Sequence, residues 1–78
     1  MKVYETNKVV RYLRKRNIIK PYLKAKSYFE AGHPQAIRLK LLKPKQQKEY
    51  QFRINTKYRA RGFYKEDGFL VTSISDHQ

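Results

Sequence analysis

The stretch Tyr50-Gln51-Phe52-Arg53-Ile54-Asn55-Thr56-Lys57-Tyr58-Arg59-Ala60-Arg61 decides the fold. Tyr50, Phe52 and Ile54 alternate with Glu49, Gln51 and Arg53, the period-two pattern of a strand with one buried face. Asn55-Thr56 supplies a short turn, and Lys57 through Lys65 continue as a second strand, so the stretch predicts a hairpin. If Tyr58 and Ala60 turn inward, alternation puts Arg59 and Arg61 on the opposite face, and Arg53 shares that face from across the turn.

Downstream, Glu66-Asp67-Gly68 predicts a tight turn in which Asp-Gly accepts a positive φ, and Phe69 through Ser75 predict the closing strand. Upstream, Ile37, Leu39 and Leu41 alternate with Arg38 and Lys40, predicting a further strand. The basic loop Lys43-Pro44-Lys45-Gln46-Gln47-Lys48 joins it to the hairpin. Before His33-Pro34 the period is helical. Val9, Val10 and Leu13 mark a first helix running to about Arg16, capped by Thr6 or Asn7, with Asn17 ending it. Ile18, Tyr22, Ala25 and Phe29 form the apolar stripe of a second helix from Ile18 to Ala31, with Pro21 in its first turn and Gly32 at its end. Val3 and Tyr4 predict a short first strand.

The order predicts an α+β fold: a short N-terminal strand, an antiparallel two-helix hairpin, then an antiparallel sheet of three to four strands, all in one domain over residues 1–78. One sheet face packs on the helices through Ile37, Leu39, Tyr50, Phe52 and Ile54, and the other becomes a basic platform. Tyr4, Tyr12, Tyr22, Tyr28, Tyr50 and Tyr58 fall on or beside apolar stripes and read as packing residues. Tyr64 shares the Tyr58 side provided no bulge interrupts its strand.

Composition limits the function. Nineteen Lys and Arg against six Asp and Glu leave a net charge of +13 in 78 residues, which calls for a nucleic acid or an acidic protein as partner. With 40% hydrophobic and 14% aromatic residues, the chain is too rich in large side chains to be a disordered basic tail. It has no Cys and two His, so neither a disulfide framework nor a structural metal site is expected, and no cofactor is implied. No apolar run approaches the ~20 residues of a membrane span, and the first residues lack the apolar core of a signal peptide, so a cytoplasmic protein without membrane contact is expected.

Guanidinium groups hold phosphate oxygens bidentately. Arg53, Arg59 and Arg61 on one hairpin face are therefore candidates to grip an RNA backbone and to stabilise charge at a reacting phosphate. Lys43, Lys45 and Lys48 in the loop and Lys57 in the turn are candidate backbone contacts. Arg11, Arg14, Lys15 and Arg16 make the first helix a basic surface suited to ribosomal RNA or an acidic protein segment. His33, between Gly32 and Pro34, reads as a plain loop residue.

The segment from Tyr50 to Ala60, the acidic-Gly turn and the ending Ile74-Ser75-Asp76-His77-Gln78 resemble the C-terminal half of RelE/ParE-superfamily toxins of bacterial toxin–antitoxin systems, most of all the short HigB-like members. The resemblance implies a metal-independent endoribonuclease that cuts messenger RNA on the ribosome and so inhibits translation, with a cognate acidic antitoxin as partner. Within it, Arg59 matches the strand Arg that contacts the scissile phosphate, Arg53 a basic residue on the preceding strand, and His77 a C-terminal catalytic Tyr or His. An imidazole titrating near neutrality suits proton transfer. Asp76 is placed to orient His77 or to pair with Arg53 or Arg61. The pattern departs at Glu49 and Gln51, where RelE carries lysines. The superfamily's other activity, inhibition of DNA gyrase by ParE-type members without nuclease chemistry, is the alternative, and a basic nucleic-acid-binding module without catalysis is a third.

Overall fold

A computed structural model describes residues 1–76. The chain runs β1 (Lys2–Glu5), α1 (Asn7–Lys15), α2 (Ile19–Glu30), β2 (Lys40–Leu41), β3 (Tyr50–Arg53), β4 (Tyr58–Lys65) and β5 (Gly68–Asp76), with short 3₁₀ turns at Pro34–Ile37 and Lys45–Gln47. The five strands form one sheet in the order β1-β5-β4-β3-β2. The fold is α+β as expected, but the sheet is mixed: β1 pairs parallel to β5, and the remaining neighbours are antiparallel.

Local chemistry sets the start of α1 and the ends of both helices. Thr6 Oγ1 accepts from the Val9 amide at 3.1 Å, satisfying one of the free donors in the first turn of α1. Asn17 takes a left-handed φ of 58°, and the Asn17 and Ile18 amides donate back to the Arg14 and Leu13 carbonyls. This closes α1 in a Schellman arrangement and stacks Ile18 on Leu13, both buried. Gly32, at φ 84°, ends α2 in the same way, its amide and that of His33 donating to Phe29 and Tyr28.

The core lies between the helices and one sheet face. Val9 and Leu13 of α1 and Tyr22, Ala25 and Phe29 of α2 pack against Val3, Phe52, Ala60, Phe69 and Val71. Phe29 meets Phe69 at 5.0 Å and Phe52 at 5.5 Å between ring centres, joining α2 to β5 and β3 through aromatic contacts. On the outer edge of β1, the Val3 amide donates to Glu30 Oε2 at 2.8 Å, so a side chain of α2 occupies a donor that an edge strand leaves open.

Three expectations are corrected. Pro34–Ile37 is a 3₁₀ turn, and the strand predicted from Ile37, Leu39 and Leu41 shrinks to Lys40–Leu41. Ile37 is still buried, but from the turn, after which Arg38 adopts a left-handed φ of 53°. The second concerns Gly68. Among the described residues the positive-φ positions are Asn17, Gly32, Arg38 and Lys48, so the Glu66-Asp67 turn needs no left-handed glycine. A Cβ on Gly68 would strike the Lys2 carbonyl, so Gly68 serves the close approach of β1 instead. Third, Tyr28 is 40% exposed on α2 and does not pack into the core.

A bulge interrupts the β4–β5 ladder. Arg61 opposes Ser73 and Gly62 opposes Val71, which leaves Thr72 as the extra residue on β5. Because that residue sits on β5, alternation along β4 is unbroken. Tyr58, Ala60, Gly62 and Tyr64 therefore face the helices, and Tyr64 packs edge-on against Tyr50 (5.0 Å) and Phe69 (5.2 Å). Arg59, Arg61, Phe63 and Lys65 face away.

Phe69 is fully buried at the meeting point of these rings. Phe69→Ala is expected to cost about 3–5 kcal/mol. That is a large part of the ~4–12 kcal/mol expected for 78 residues at ~0.05–0.15 kcal/mol each. Urea titration followed by circular dichroism should show a strongly lowered midpoint for Phe69→Ala and nearly none for Phe63→Ala on the opposite face.

Candidate nucleic-acid interface

Among the described residues, no helix covers the second face of the sheet; α1 lies against β5, and α2 against β1 and the Pro34–Ile37 turn. Its chemistry follows from register. Arg53 stands directly opposite Arg59 in the β3–β4 pair, and Gln51 opposite Arg61. Lys40 stands opposite Gln51 in the β2–β3 pair. Arg59 and Arg61 are flanked on their other side by Ser75 and Ser73 of β5. The three arginines read from alternation do share one face.

Arg38, Lys40, Gln51, Arg53 and Arg59 together line a depression of about 250 Å³. The guanidinium of Arg59 is folded toward the β3–β4 turn, where Nη1 donates to the Asn55 carbonyl and, at 3.1 Å, to the Tyr58 carbonyl. Desolvation, followed by the charges of Arg53 and Arg38, holds the Arg59 guanidinium below its ordinary range. Among the described residues, no carboxylate pairs with Arg38, Arg53, Arg59 or Arg61. Arg61 Nε is shielded from solvent without a hydrogen-bond partner there. Like charges lining one depression without a counter-charge among the described residues are a setting that favours an anion, and guanidinium groups are suited to phosphate oxygens.

The other end of this face is electrically quenched. Lys65 Nζ pairs with Asp67 Oδ1 at 3.1 Å and lies 4.4 Å above the Tyr4 ring, while the Tyr4 hydroxyl donates to Asp67 Oδ2 at 2.9 Å. Lys65 and then Tyr4 hold the Asp67 carboxyl below the ordinary carboxylate range. Free positive charge on the face is therefore concentrated at the β2–β3–β4 end.

The remaining expected residues are placed elsewhere. Lys43, Lys45 and Lys48 are exposed in the β2–β3 connection. They enter at the Tyr50 end of β3, about 10 Å along the strand from Arg53 at ~3.3 Å per residue. They do not line the depression. Lys57 is not part of its wall either: Nζ approaches Asp76 Oδ2 at 3.9 Å and lies 5.5 Å from the Tyr58 ring centre. Asp76 thus pairs with Lys57, not with Arg53 or Arg61. The reason is register: Asp76 opposes Tyr58 on the helix-facing phase of the sheet, the reverse of the arginines. His77 lies outside the described residues. Arg11, Arg14 and Lys15 are exposed on α1, and Arg16, exposed just after it, lies over the Tyr12 ring at 5.1 Å. Arg38 and Lys40 line the depression but were absent from the expected site: the alternation with Ile37 and Leu39 ends in the 3₁₀ turn, and their place beside Arg53 follows only from the pairing of β2 with β3. No helix among the described residues is long and apolar enough to cross a membrane, and no cluster of metal-ligating side chains occurs among them.

No protein-family model matches the chain, and no curated protein matches it in sequence.

Like charges directly opposite in a ladder destabilise by roughly 0.2–1 kcal/mol. Arg53→Gln should accordingly raise the thermal midpoint at low ionic strength by that equivalent, and the gain should vanish in high salt. Inorganic phosphate should raise the midpoint of the wild type more than that of Arg53→Gln. Differential scanning fluorimetry across salt and phosphate concentrations reads both effects.

Proposed function

We propose that this protein is a RelE/HigB-like toxin of a toxin–antitoxin system, a metal-independent ribonuclease that cleaves messenger RNA on the ribosome. The observation that carries this reading is the depression where Arg38, Arg53 and Arg59 converge without a carboxylate on a sheet face that no helix covers. The order of strand, two helices and mainly antiparallel sheet is compatible with the RelE/ParE architecture. The departure at Gln51 is offset locally, because Lys40 stands opposite it and restores a cation beside the place where RelE carries a lysine.

In this reading the substrate supplies its own nucleophile. The ribose 2′-oxygen forms a bond to the adjacent phosphorus as the bond to the 5′-oxygen breaks, leaving a 2′,3′-cyclic phosphate and a 5′-hydroxyl. Arg53 and Arg59 take up the charge that grows on the phosphoryl oxygens, and Arg38 and Lys40 hold the flanking backbone. Arg61, Lys43, Lys45, Lys48 and Lys57 contribute outer electrostatic attraction. His77 transfers the proton lost by the 2′-hydroxyl or gained by the 5′-oxygen. The acidic partner is a cognate antitoxin, and the setting is the cytoplasm.

The test is induced expression of wild type, Arg59→Ala and His77→Ala in a bacterial host, with growth followed and messenger RNA ends mapped by primer extension. Wild type should arrest growth and produce ribosome-dependent cuts. Arg59→Ala should lower cleavage by roughly 10²–10³-fold, as expected for a lost transition-state donor. His77→Ala should lower it by roughly 10²–10⁴-fold. Growth arrest with gyrase-dependent DNA breaks and no RNA cuts would establish the ParE-type activity instead. Salt-sensitive RNA binding without any arrest would leave a binding module.

A further inference from the structure

Arg53 forms part of two cavities. One is the guanidinium depression; the other, of about 510 Å³, lies between α2 and the β3–β4 turn, where Pro21, Lys24, Tyr28, Ile37, Arg53 and Asn55 line it. Its size falls in the range of small-molecule sites, ~300–1,000 Å³. The two share more than Arg53, since the Arg59 guanidinium donates to the carbonyl of Asn55, which lines the larger cavity. An anion bound at the arginines would therefore sit beside the opening of this groove.

The walls of the groove have a definite chemistry. Tyr28 is 40% exposed and packs against no other ring among the described residues, so its face is available for stacking. Pro21, Ala25 and Ile37 supply apolar surface. Asn55 Oδ1 already accepts from the Lys57 amide (3.0 Å) and the Tyr58 amide (2.8 Å). This fixes the orientation of the amide and leaves Nδ2 with donors only. Lys24, unpaired among the described residues, adds a second donor. The side chains left to recognise a ligand are thus an aromatic ring whose hydroxyl can donate or accept, apolar walls, and two groups that only donate, Asn55 Nδ2 and Lys24 Nζ.

We propose that this groove receives the nucleobase next to the phosphate held by Arg38, Arg53 and Arg59, and that it favours a base edge presenting two acceptors, as the N7/O6 edge of guanine does. The proposal rests on the reading of the guanidinium depression as a phosphodiester site. An adenine presents its N6 amino donor where guanine presents O6, and against Asn55 Nδ2 and Lys24 Nζ, which only donate, it forfeits one of the two hydrogen bonds and should bind more weakly.

Amide-resolved NMR titrations test this with inorganic phosphate and with 2′-O-methylated GpG and ApA dinucleotides, which lack the attacking hydroxyl. Phosphate should shift amides of Arg38, Arg53 and Arg59. GpG should shift those of Lys24, Tyr28 and Asn55 as well, and bind roughly tenfold more tightly than phosphate, the gain expected from one stacked base. ApA should bind more weakly than GpG. Tyr28→Ala should remove the tenfold advantage and leave phosphate binding as it is, whereas Tyr28→Phe should keep it. Equal affinity of GpG and phosphate, or a Tyr28→Ala protein that binds GpG like the wild type, would overturn the groove assignment and leave the arginine site standing. If neither ligand shifts the three arginines, both readings fall.

Discussion

Three guanidinium groups lie together on this sheet without a carboxylate among them, and a scaffold must hold them there against their mutual repulsion. That force is modest at a solvated surface, a fraction of a kcal/mol to about 1 kcal/mol for directly opposed charges. It is small beside the burial of Phe29, Phe52 and Phe69 on the reverse face, where removing one ring costs several times as much. The strand pleat couples the two. Each residue that anchors β3 or β4 to the helices forces its neighbour outward, so Phe52 and Ala60 in the core oblige Arg53, Arg59 and Arg61 to stand on the uncovered side.

The distribution of carboxylates completes the arrangement. Glu5 pairs with Lys26 at 2.9 Å and accepts from the Tyr22 hydroxyl at 2.7 Å on the helix side, and Glu30 occupies the edge amide of β1. Asp67 serves Lys65 and Tyr4, and Asp76 serves Lys57. Four of the six acidic residues are thus bound to partners away from the arginine depression, and the field there is left to an external anion. Placing Asp76 one residue earlier or later would reverse its phase and bring it toward the arginines, which gives that position a consequence for binding as well as for stability.

Much of this was legible in the chain. The helical stripes, the turn at Asn17, Gly32 at the end of α2 and the β3–β4 hairpin all follow from local pattern, because caps and alternation act over a few residues. The parallel pairing of β1 with β5 was not, since four residues at one end of the chain carry no mark of which distant strand they will join. The alternation of Ile37, Leu39 and Leu41 misled because a 3₁₀ turn set by Pro34 buries Ile37 equally well. Of the site, Arg53, Arg59 and Arg61 were readable from period two. Arg38 and Lys40 required the knowledge that β2 lies next to β3, and the bulge at Thr72 shows why Tyr64 keeps its side: the extra residue is on the partner strand. Tyr28 sits on the flank of the α2 stripe, where spacing alone does not separate a core ring from an exposed one.

The central claim is that this arginine cluster, and not the basic face of α1, is where a nucleic-acid backbone is held. The most direct measurement is the salt dependence of affinity for a 2′-O-methylated single-stranded RNA, comparing wild type with the combined replacement of Arg38, Arg53 and Arg59 by Gln. At a slope of about 0.7 per phosphate contact on a single strand, losing three contacts should flatten the plot of log affinity against log salt by about 2. An unchanged slope in that variant, with the loss appearing instead when Arg11, Arg14 and Lys15 are replaced, would contradict the account.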